Sequence, residues 1–224
     1  MIPEKEIKSM FENVSKLYDF FNDLFSFMLV RLWRRSVTKH FLSQSRSVLD
    51  LGIGTGYLSS NVNQDTGVFP IGLDLTRSMV LKNIKKLQRF SDPVIGTATN
   101  MPFRDGAFDT IVSSFTLRSF KKVGIDKVFD ECARVLNEKG NLVMLDTAKP
   151  TKGLALAFFY VYFKMVNFVG GLYNNPAYRW LTNSIMDLNP EYVRKKMFER
   201  FNNVKVYKLT GEIAYIWHSR IHKS

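Results

Sequence analysis

The stretch Ser47–Gly56, SVLDLGIGTG, decides the fold. Its first half is a short apolar segment typical of a buried strand, and its second half has glycine at every other position, at Gly52, Gly54 and Gly56. Glycine at a strand end lets the chain turn tightly and lets a ligand approach the backbone closely. A helix is predicted from about Tyr57, so its first N–H groups would point at a ligand in the turn.

Strands and helices alternate around this turn as far as residue 150. The predicted strands are Ser47–Leu51, Val68–Asp74, Val94–Ala98, Phe108–Ser114 and Gly140–Asp146, and the predicted helices include Arg77–Gln88 and Ile125–Leu136. This alternation predicts βαβ units and a mainly parallel sheet with helices on both faces. Two further strands, Val204–Leu209 and Ile213–His218, flank a turn signal and predict an antiparallel hairpin at the sheet edge.

Helical segments precede and interrupt this α/β core. Apolar residues at three- and four-residue steps predict a helix near the N-terminus and a second over Leu29–Phe41. Residues 153–200 are predicted to be helical and are rich in Phe, Tyr and Met. We therefore expect one domain over residues 1–224: an N-terminal helical cap (1–45), a ligand-binding core (46–150), a helical insertion (151–200) and a terminal hairpin (201–224) of a seven-stranded sheet.

Composition limits the classes of function. The chain has 32 Lys and Arg against 20 Asp and Glu, and the net charge of +12 favours acidic partners such as nucleic acid, anionic lipid or a phosphorylated ligand. One cysteine, Cys132, excludes an internal disulfide and a cysteine-cluster zinc site, and the three histidines are too scattered for a metal. No signal peptide is visible and the longest apolar run, 154–169, is short for a membrane span, so we expect a cytoplasmic protein.

An acidic residue ends the second predicted strand. Asp74 lies 18 residues beyond Gly56, where a carboxylate can accept both ribose hydroxyls of an adenosine. Together with Asp50 and the glycine turn it suits S-adenosylmethionine or NAD. The glycine turn lacks the third glycine of the dinucleotide-binding pattern GxGxxG. The C-terminal antiparallel hairpin also favours the fold of S-adenosylmethionine-binding proteins, because dinucleotide-binding sheets usually end in parallel strands. The alternative for Asp74 is a helix-capping or turn residue before Thr76.

Five more motifs extend along the chain. They are Tyr18-Asp19 with Asn22, Ser26 and RLWRR at 31–35; MPFRDGAFD at 101–109; SFTLRS at 114–119; Arg134–Leu136 with DTAKP at 146–150; and YRWLTNSI at 178–185. With the glycine turn, they resemble the ubiquinone/menaquinone biosynthesis C-methyltransferases, a family of class I methyltransferases with a Rossmann-like fold. The sequence departs from the family at Thr97, where Asp or Asn is usual, at Ser119 in place of Asn, and at Asp146 in place of Glu.

The resemblance implies S-adenosylmethionine as cofactor and carbon methylation of a prenylated quinol ring. The residues predicted to bind the cofactor are Asp50, Gly52, Gly54, Thr55, Gly56, Asp74, Leu75, Met79, Thr97, Ala98 and Ser114. Met79 has an alternative role as a core residue of the helix after the second strand. Methyl transfer from a sulfonium needs alignment and a dry site rather than a metal, so no metal is expected.

Arg118 follows the fourth strand and is the main predicted catalytic residue. A guanidinium does not act as an ordinary base, so the prediction is that it holds a quinol oxygenate or polarises a water that removes the ring proton. The alternative is a salt bridge to Asp19 or Asp126. The other predicted catalytic residues are Tyr18 and Asp19, and the predicted substrate-binding residues are Asn22, Arg118, Tyr162 and Tyr178. The alternative for the N-terminal group is a core Tyr18 beside solvated Asp19 and Asn22.

The expected partners are a lipophilic quinol and an anionic membrane surface. The aromatic-rich helical insertion either walls a channel for a prenyl tail or simply packs on the core. The basic residues of the helix after Asp74, which are Arg77, Lys82, Lys85, Lys86 and Arg89, either form a solvated face or bind the inner face of the membrane peripherally. The N-terminal helices and the terminal hairpin are candidate surfaces for a homodimer.

Other functions compete with this interpretation. RNA methylation is suggested by the positive charge, but residues 113–116 (SSFT) lack the Asn/Asp-Pro-Pro-aromatic tetrapeptide of base N-methylation. Cys132 lies in the middle of a predicted helix, away from the position of a pyrimidine-attacking nucleophile. Nucleic acid is therefore disfavoured, while another lipid or small-molecule acceptor, or a non-catalytic scaffold that retained the fold, stays open.

Overall fold

The computed structural model describes residues 29–150, 153–172 and 185–220. These residues contain seven strands and seven helices. The strands are β1 (Val48–Leu51), β2 (Ile71–Asp74), β3 (Asp92–Ile95), β4 (Phe108–Ser114), β5 (Leu136–Thr147), β6 (Lys205–Leu209) and β7 (Ala214–Arg220). The helices are α1 (Leu29–Phe41), α2 (Tyr57–Thr66), α3 (Arg77–Leu87), α4 (Leu117–Val123), α5 (Ile125–Val135), α6 (Gly153–Leu172) and α7 (Pro190–Phe198).

All seven strands belong to one sheet in the order β3-β2-β1-β4-β5-β7-β6. The first five pair in parallel, while β7 pairs antiparallel with both β5 and β6. The predicted α/β class, seven-stranded sheet and terminal antiparallel hairpin are therefore confirmed. The strand order reverses between β1 and β4, and such a switch point opens a crevice at the carboxyl ends of the strands.

Alternate residues of the central strands face two apolar layers. Leu49 and Ile111 pack into a cluster with α5 and α7, whereas Val48 and Val112 pack into a second cluster with α1 and α2. This is the two-residue period of a strand that is buried on both faces. With both faces covered, the ends of the strands are the places left for a ligand.

Several element bounds differ from the predictions. β3 begins and ends earlier than Val94–Ala98, so Thr97 and Ala98 lie in the loop that follows it. Helix α4 was not predicted because it is only 7 residues long. It is followed by Gly124, whose φ of 114° is in the left-handed region that often ends a helix. Helix α7 begins after Asn189, whose Oδ1 accepts the N–H groups of Glu191 and Tyr192.

The helical prediction for residues 153–200 is confirmed over α6 and α7, while residues 173–184 lie outside the described residues. The first predicted helix also lies outside them, in residues 1–28. Within the described ranges, no helix combines the length and the apolar character needed to span a membrane.

Candidate functional site

A cleft opens where β1, β2, β3 and β4 end. It encloses about 1010 Å³ of space when its open mouth is included. Its wall is mostly apolar side chains and backbone. Among the described residues that line it, Arg34 and Asp74 are the two charged ones.

The glycine turn forms the floor of this cleft. The N–H groups of Gly52 and Ile53 donate to the Leu73 carbonyl oxygen at 2.7 and 3.1 Å, which ties the turn to β2. Gly52 has a φ of +83°, and a Cβ there would lie 2.3 Å from Cγ2 of Thr116. A side chain at this position is therefore excluded both by the backbone conformation and by the close approach of the β4–α4 loop.

Asp74 links the turn to the start of α3. Its Oδ2 accepts the N–H of Gly54 and its Oδ1 accepts the N–H of Thr76, each at 2.8 Å. Burial raises the pKa of Asp74, and these two N–H groups oppose that rise. Asp74 thus has the turn-stabilising role of the alternative interpretation and also lines the cleft, where its remaining lone pairs can accept ligand hydroxyls.

Two of the predicted cofactor residues lie behind the turn and do not line the cleft. Asp50 is 1% exposed, and its Oδ2 accepts the Ser59 hydroxyl at 2.6 Å. Burial raises the pKa of Asp50 to about 6, while the Ser59 hydrogen bond and the charge of Arg34 oppose this. Gly56 begins α2 with a φ of 81°, and a Cβ there would lie 2.3 Å from Cδ2 of Leu87.

The structure brings the other predicted cofactor residues together around the cleft. These are Gly52, Gly54, Thr55, Asp74, Leu75, Met79, Thr97, Ala98 and Ser114. Thr97 and Ala98 stand at the β3 side, and the hydroxyls of Thr97 and Thr99 are 2.9 Å apart. Met79 is 4% exposed and lines the cleft from α3, so it combines the core role with contact to the cavity.

Arg118 lies next to the cleft but does not line it. Its Nε is 3.1 Å from Oδ1 of Asp146, and the two side chains are 5% and 0% exposed. Its Nη2 donates to the Phe115 carbonyl oxygen at 3.3 Å. The suggested salt bridge to Asp126 is wrong, because Asp126 pairs with Lys196 and Arg200, each at 3.0 Å.

The predicted residues on the substrate side fall mainly outside the described part of the chain. Tyr18, Asp19, Asn22 and Tyr178 lie there, and of Tyr162 only the backbone in α6 is described. Their roles stay predictions.

Sequence reasoning missed several residues of the wall. They are Arg34, Tyr57, Phe115, Thr116, Ser119 and Phe120. Phe115 directly follows β4 and has a φ of 62°, a rare conformation for a residue other than glycine and one that often occurs at ligand sites. The RLWRR motif drew attention to Arg34, but nothing local places it against the end of β4.

Comparison with known proteins gives the family. A model of the ubiE/COQ5 methyltransferase family matches residues 1–221. The chain belongs to this family. The predictions of a methyltransferase and of S-adenosylmethionine as its cofactor are thereby confirmed.

Individual relatives cover nearly the whole chain. A demethylmenaquinone methyltransferase of Thermotoga maritima is 33% identical over 221 residues, which cover 96% of this chain and 95% of the relative. A ubiquinone/menaquinone biosynthesis C-methyltransferase UbiE of Geotalea uraniireducens is 29% identical over 228 residues, with 95% of each chain covered.

The similarity to a crystal structure of another protein concerns the fold only. That protein is a putative S-adenosyl-L-methionine-dependent methyltransferase of Methanococcus maripaludis, with a TM-score of 0.70 at 17% identity and coverage of 95% of this chain and 94% of that one.

Proposed function

We propose that this protein transfers a methyl group from S-adenosylmethionine to a ring carbon of a prenylated quinol in menaquinone or ubiquinone biosynthesis. The observation that carries the proposal is the joining of the glycine turn and Asp74 at one cleft, in a chain of the ubiE/COQ5 methyltransferase family. The functions named for its relatives support the quinol ring as the acceptor.

Residues along the cleft support the binding of S-adenosylmethionine. Asp74 at the end of β2 would accept the ribose hydroxyls, and Thr97 and Ala98 at the neighbouring β3 side would flank the adenine. The floor at Gly52 has no room for a side chain, so its backbone would face the bound ligand directly. Asp50 and Gly56 act from behind by fixing the turn.

S-adenosylmethionine supplies an electrophilic methyl group on a sulfonium. The chain then has to align the ring carbon with that methyl group, exclude water and stabilise the quinol oxygenate until the ring proton leaves. Phe115 and Phe120 contribute apolar wall at the β4 end of the cleft. Arg118 donates a hydrogen bond to the Phe115 carbonyl oxygen, and we propose that it thereby positions this wall while the ring proton passes to a water molecule. We propose Tyr18 and Asp19 as further catalytic residues. Asn22, Tyr162 and Tyr178 are proposed to contact the substrate.

The destination of the methyl label tests this function. The protein is incubated with methyl-labelled S-adenosylmethionine, a reduced demethylated prenyl quinone, its tail-less analogue and total RNA. We expect label in the prenylated quinone fraction, and a lower kcat/KM for the tail-less quinol because the tail adds apolar burial. Label in RNA would overturn the quinol assignment. Equal kcat/KM for the two quinols would show that the protein does not bind the prenyl tail in a channel.

We further propose that α3 contacts anionic membrane lipid. Its basic residues Lys82, Lys85 and Lys86 are exposed, together with the apolar Leu81 at 49% exposure. At ~1 kcal/mol per basic residue near a lipid surface, this helix face supplies several kcal/mol of salt-sensitive attraction.

Charge reversal tests this membrane contact. Lys82→Glu with Lys85→Glu should weaken co-sedimentation with anionic vesicles by about tenfold or more at low salt, since each lysine contributes ~1 kcal/mol. The control is Lys127→Glu with Lys195→Glu, which makes the same change of net charge at exposed positions of α5 and α7. If both pairs weaken binding equally, α3 is not the contact surface.

A further inference from the structure

Arg34 brings a guanidinium into the wall of the cleft from α1. The residue is 9% exposed, and its Nε donates to the Ser114 hydroxyl at 3.3 Å. Its Cζ lies 5.3 Å from the centre of the Tyr57 ring and 5.1 Å from that of Phe115. The two aromatic rings and this hydrogen bond help to hold a permanently charged, planar group at this point.

The strand order fixes which end of a ligand this group meets. In the sheet, β2 lies between β3 and β1, and β4 lies beyond β1. A nucleoside with its ribose on Asp74 and its base beside Thr97 and Ala98 has its remaining substituent directed toward β1 and β4. Ser114 ends β4, and Arg34 is bonded to it. Arg34 thus stands at the end of the cleft opposite the base.

We infer that Arg34 binds the carboxylate of the methionine moiety of S-adenosylmethionine, making this end of the cleft an anion subsite. The inference rests on the proposed function, because it takes S-adenosylmethionine as the ligand. A carboxylate that leaves water for a largely apolar wall requires a compensating cation, and a guanidinium matches its two oxygens in a planar, bidentate way. Among the described residues that line the cleft, Arg34 is the basic one.

A purely structural role for Arg34 makes a different prediction. Burial raises the pKa of Asp50 beneath the turn, and the charge of Arg34 opposes that rise, so Arg34 also stabilises the Asp50 carboxylate. If this were its whole role, removing it would disturb the turn and weaken every ligand of the cleft alike. If Arg34 instead binds the carboxylate, removing it weakens the binding only of ligands that carry the carboxylate.

Calorimetric titration with two ligands separates the roles without measuring turnover. One ligand is S-adenosylhomocysteine, and the other is its decarboxylated counterpart, which lacks that carboxylate alone. We expect Arg34→Met to weaken S-adenosylhomocysteine binding by about 10- to 100-fold, typical of a lost hydrogen bond between charged groups, and the decarboxylated ligand by less than about threefold. Arg34→Lys keeps the charge without the fork and should fall between wild type and Arg34→Met for S-adenosylhomocysteine only.

Equal losses for both ligands in either variant, or no loss for S-adenosylhomocysteine, would overturn the inference. That result leaves the proposed function standing if the wild-type protein still binds S-adenosylhomocysteine and transfers label to the quinol. A wild-type protein that binds neither ligand would overturn both.

Discussion

Replacing Asp74 with Asn should lower the affinity for S-adenosylmethionine by about 100-fold or more. The two carboxylate oxygens accept the N–H groups of Gly54 and Thr76, each at 2.8 Å. Asparagine has a single carbonyl oxygen and would turn its amide donor toward one of these N–H groups. An unsatisfied buried donor destabilises the turn by ~1–3 kcal/mol, and each hydrogen bond that the carboxylate would accept from a ribose hydroxyl is worth ~1.5–3 kcal/mol.

Asp109→Asn is the matched control for this substitution. Oδ2 of Asp109 accepts the N–H groups of Arg46 and Ser47 at 2.8 and 3.0 Å, near the start of β4 and so at the opposite edge of the sheet. One carbonyl oxygen can keep both of these bonds, so we expect Asp109→Asn to retain wild-type affinity. Calorimetric titration with S-adenosylhomocysteine measures both variants. Wild-type affinity in Asp74→Asn would show that the cofactor does not use this carboxylate.

The parts of the site that the sequence predicts are those set by local chain geometry. Gly52 and Gly54 have positive φ, which glycine adopts without strain, so their spacing marks a tight turn at a strand end wherever the strand lies. Asp74 ends the next strand along the chain, and parallel neighbours place their carboxyl ends together. The turn and the carboxylate therefore meet without any information from distant residues.

The parts that the sequence does not predict depend on long-range packing. Arg34 and Ser114 are 80 residues apart, and their contact exists because α1 packs over the sheet face next to β4. Asp50 belongs to the motif, yet its carboxylate turns to Ser59 beneath the loop. Arg118 follows the correct strand, but its guanidinium turns toward Asp146 instead of the cleft. A motif fixes the position of a residue along the chain and leaves the direction of its side chain open.

Replacing Arg118 with Met should lower the free energy of unfolding by about 3–5 kcal/mol at neutral pH, the usual cost of removing one partner of a buried ion pair. Asp146 would then keep the N–H of Thr147 at 2.7 Å but lose the guanidinium at 3.1 Å. Burial raises the pKa of Asp146 and Arg118 opposes that rise, so the substitution raises this pKa further. Urea denaturation measures the change, and Arg194→Met, which breaks the exposed Arg194–Glu191 pair, should cost at most about 1 kcal/mol.

The destabilisation caused by Arg118→Met should depend on pH in a definite direction. A carboxyl with a higher pKa in the folded than in the unfolded protein binds more protons when folded, so its destabilising effect is present at high pH and disappears as the pH falls through the folded-state pKa. The difference between wild type and Arg118→Met should therefore narrow as the pH falls through the raised pKa of Asp146 in the folded variant. A constant difference would mean that the cost comes from lost packing and not from the stranded charge of Asp146.

The double variant Arg118→Met, Asp146→Leu separates stability from catalysis. Because replacing both members of a buried pair with apolar residues is often neutral, we expect it to regain most of the lost stability. Its affinity for S-adenosylhomocysteine should stay near wild type, since neither residue lines the cleft. Its kcat should still fall by about tenfold or more, because the Phe115 carbonyl loses the hydrogen bond from Arg118 that holds this strained residue in the cleft wall. A stable double variant with wild-type kcat would assign Arg118 and Asp146 to folding alone, and the ring proton would then have to be removed without their help.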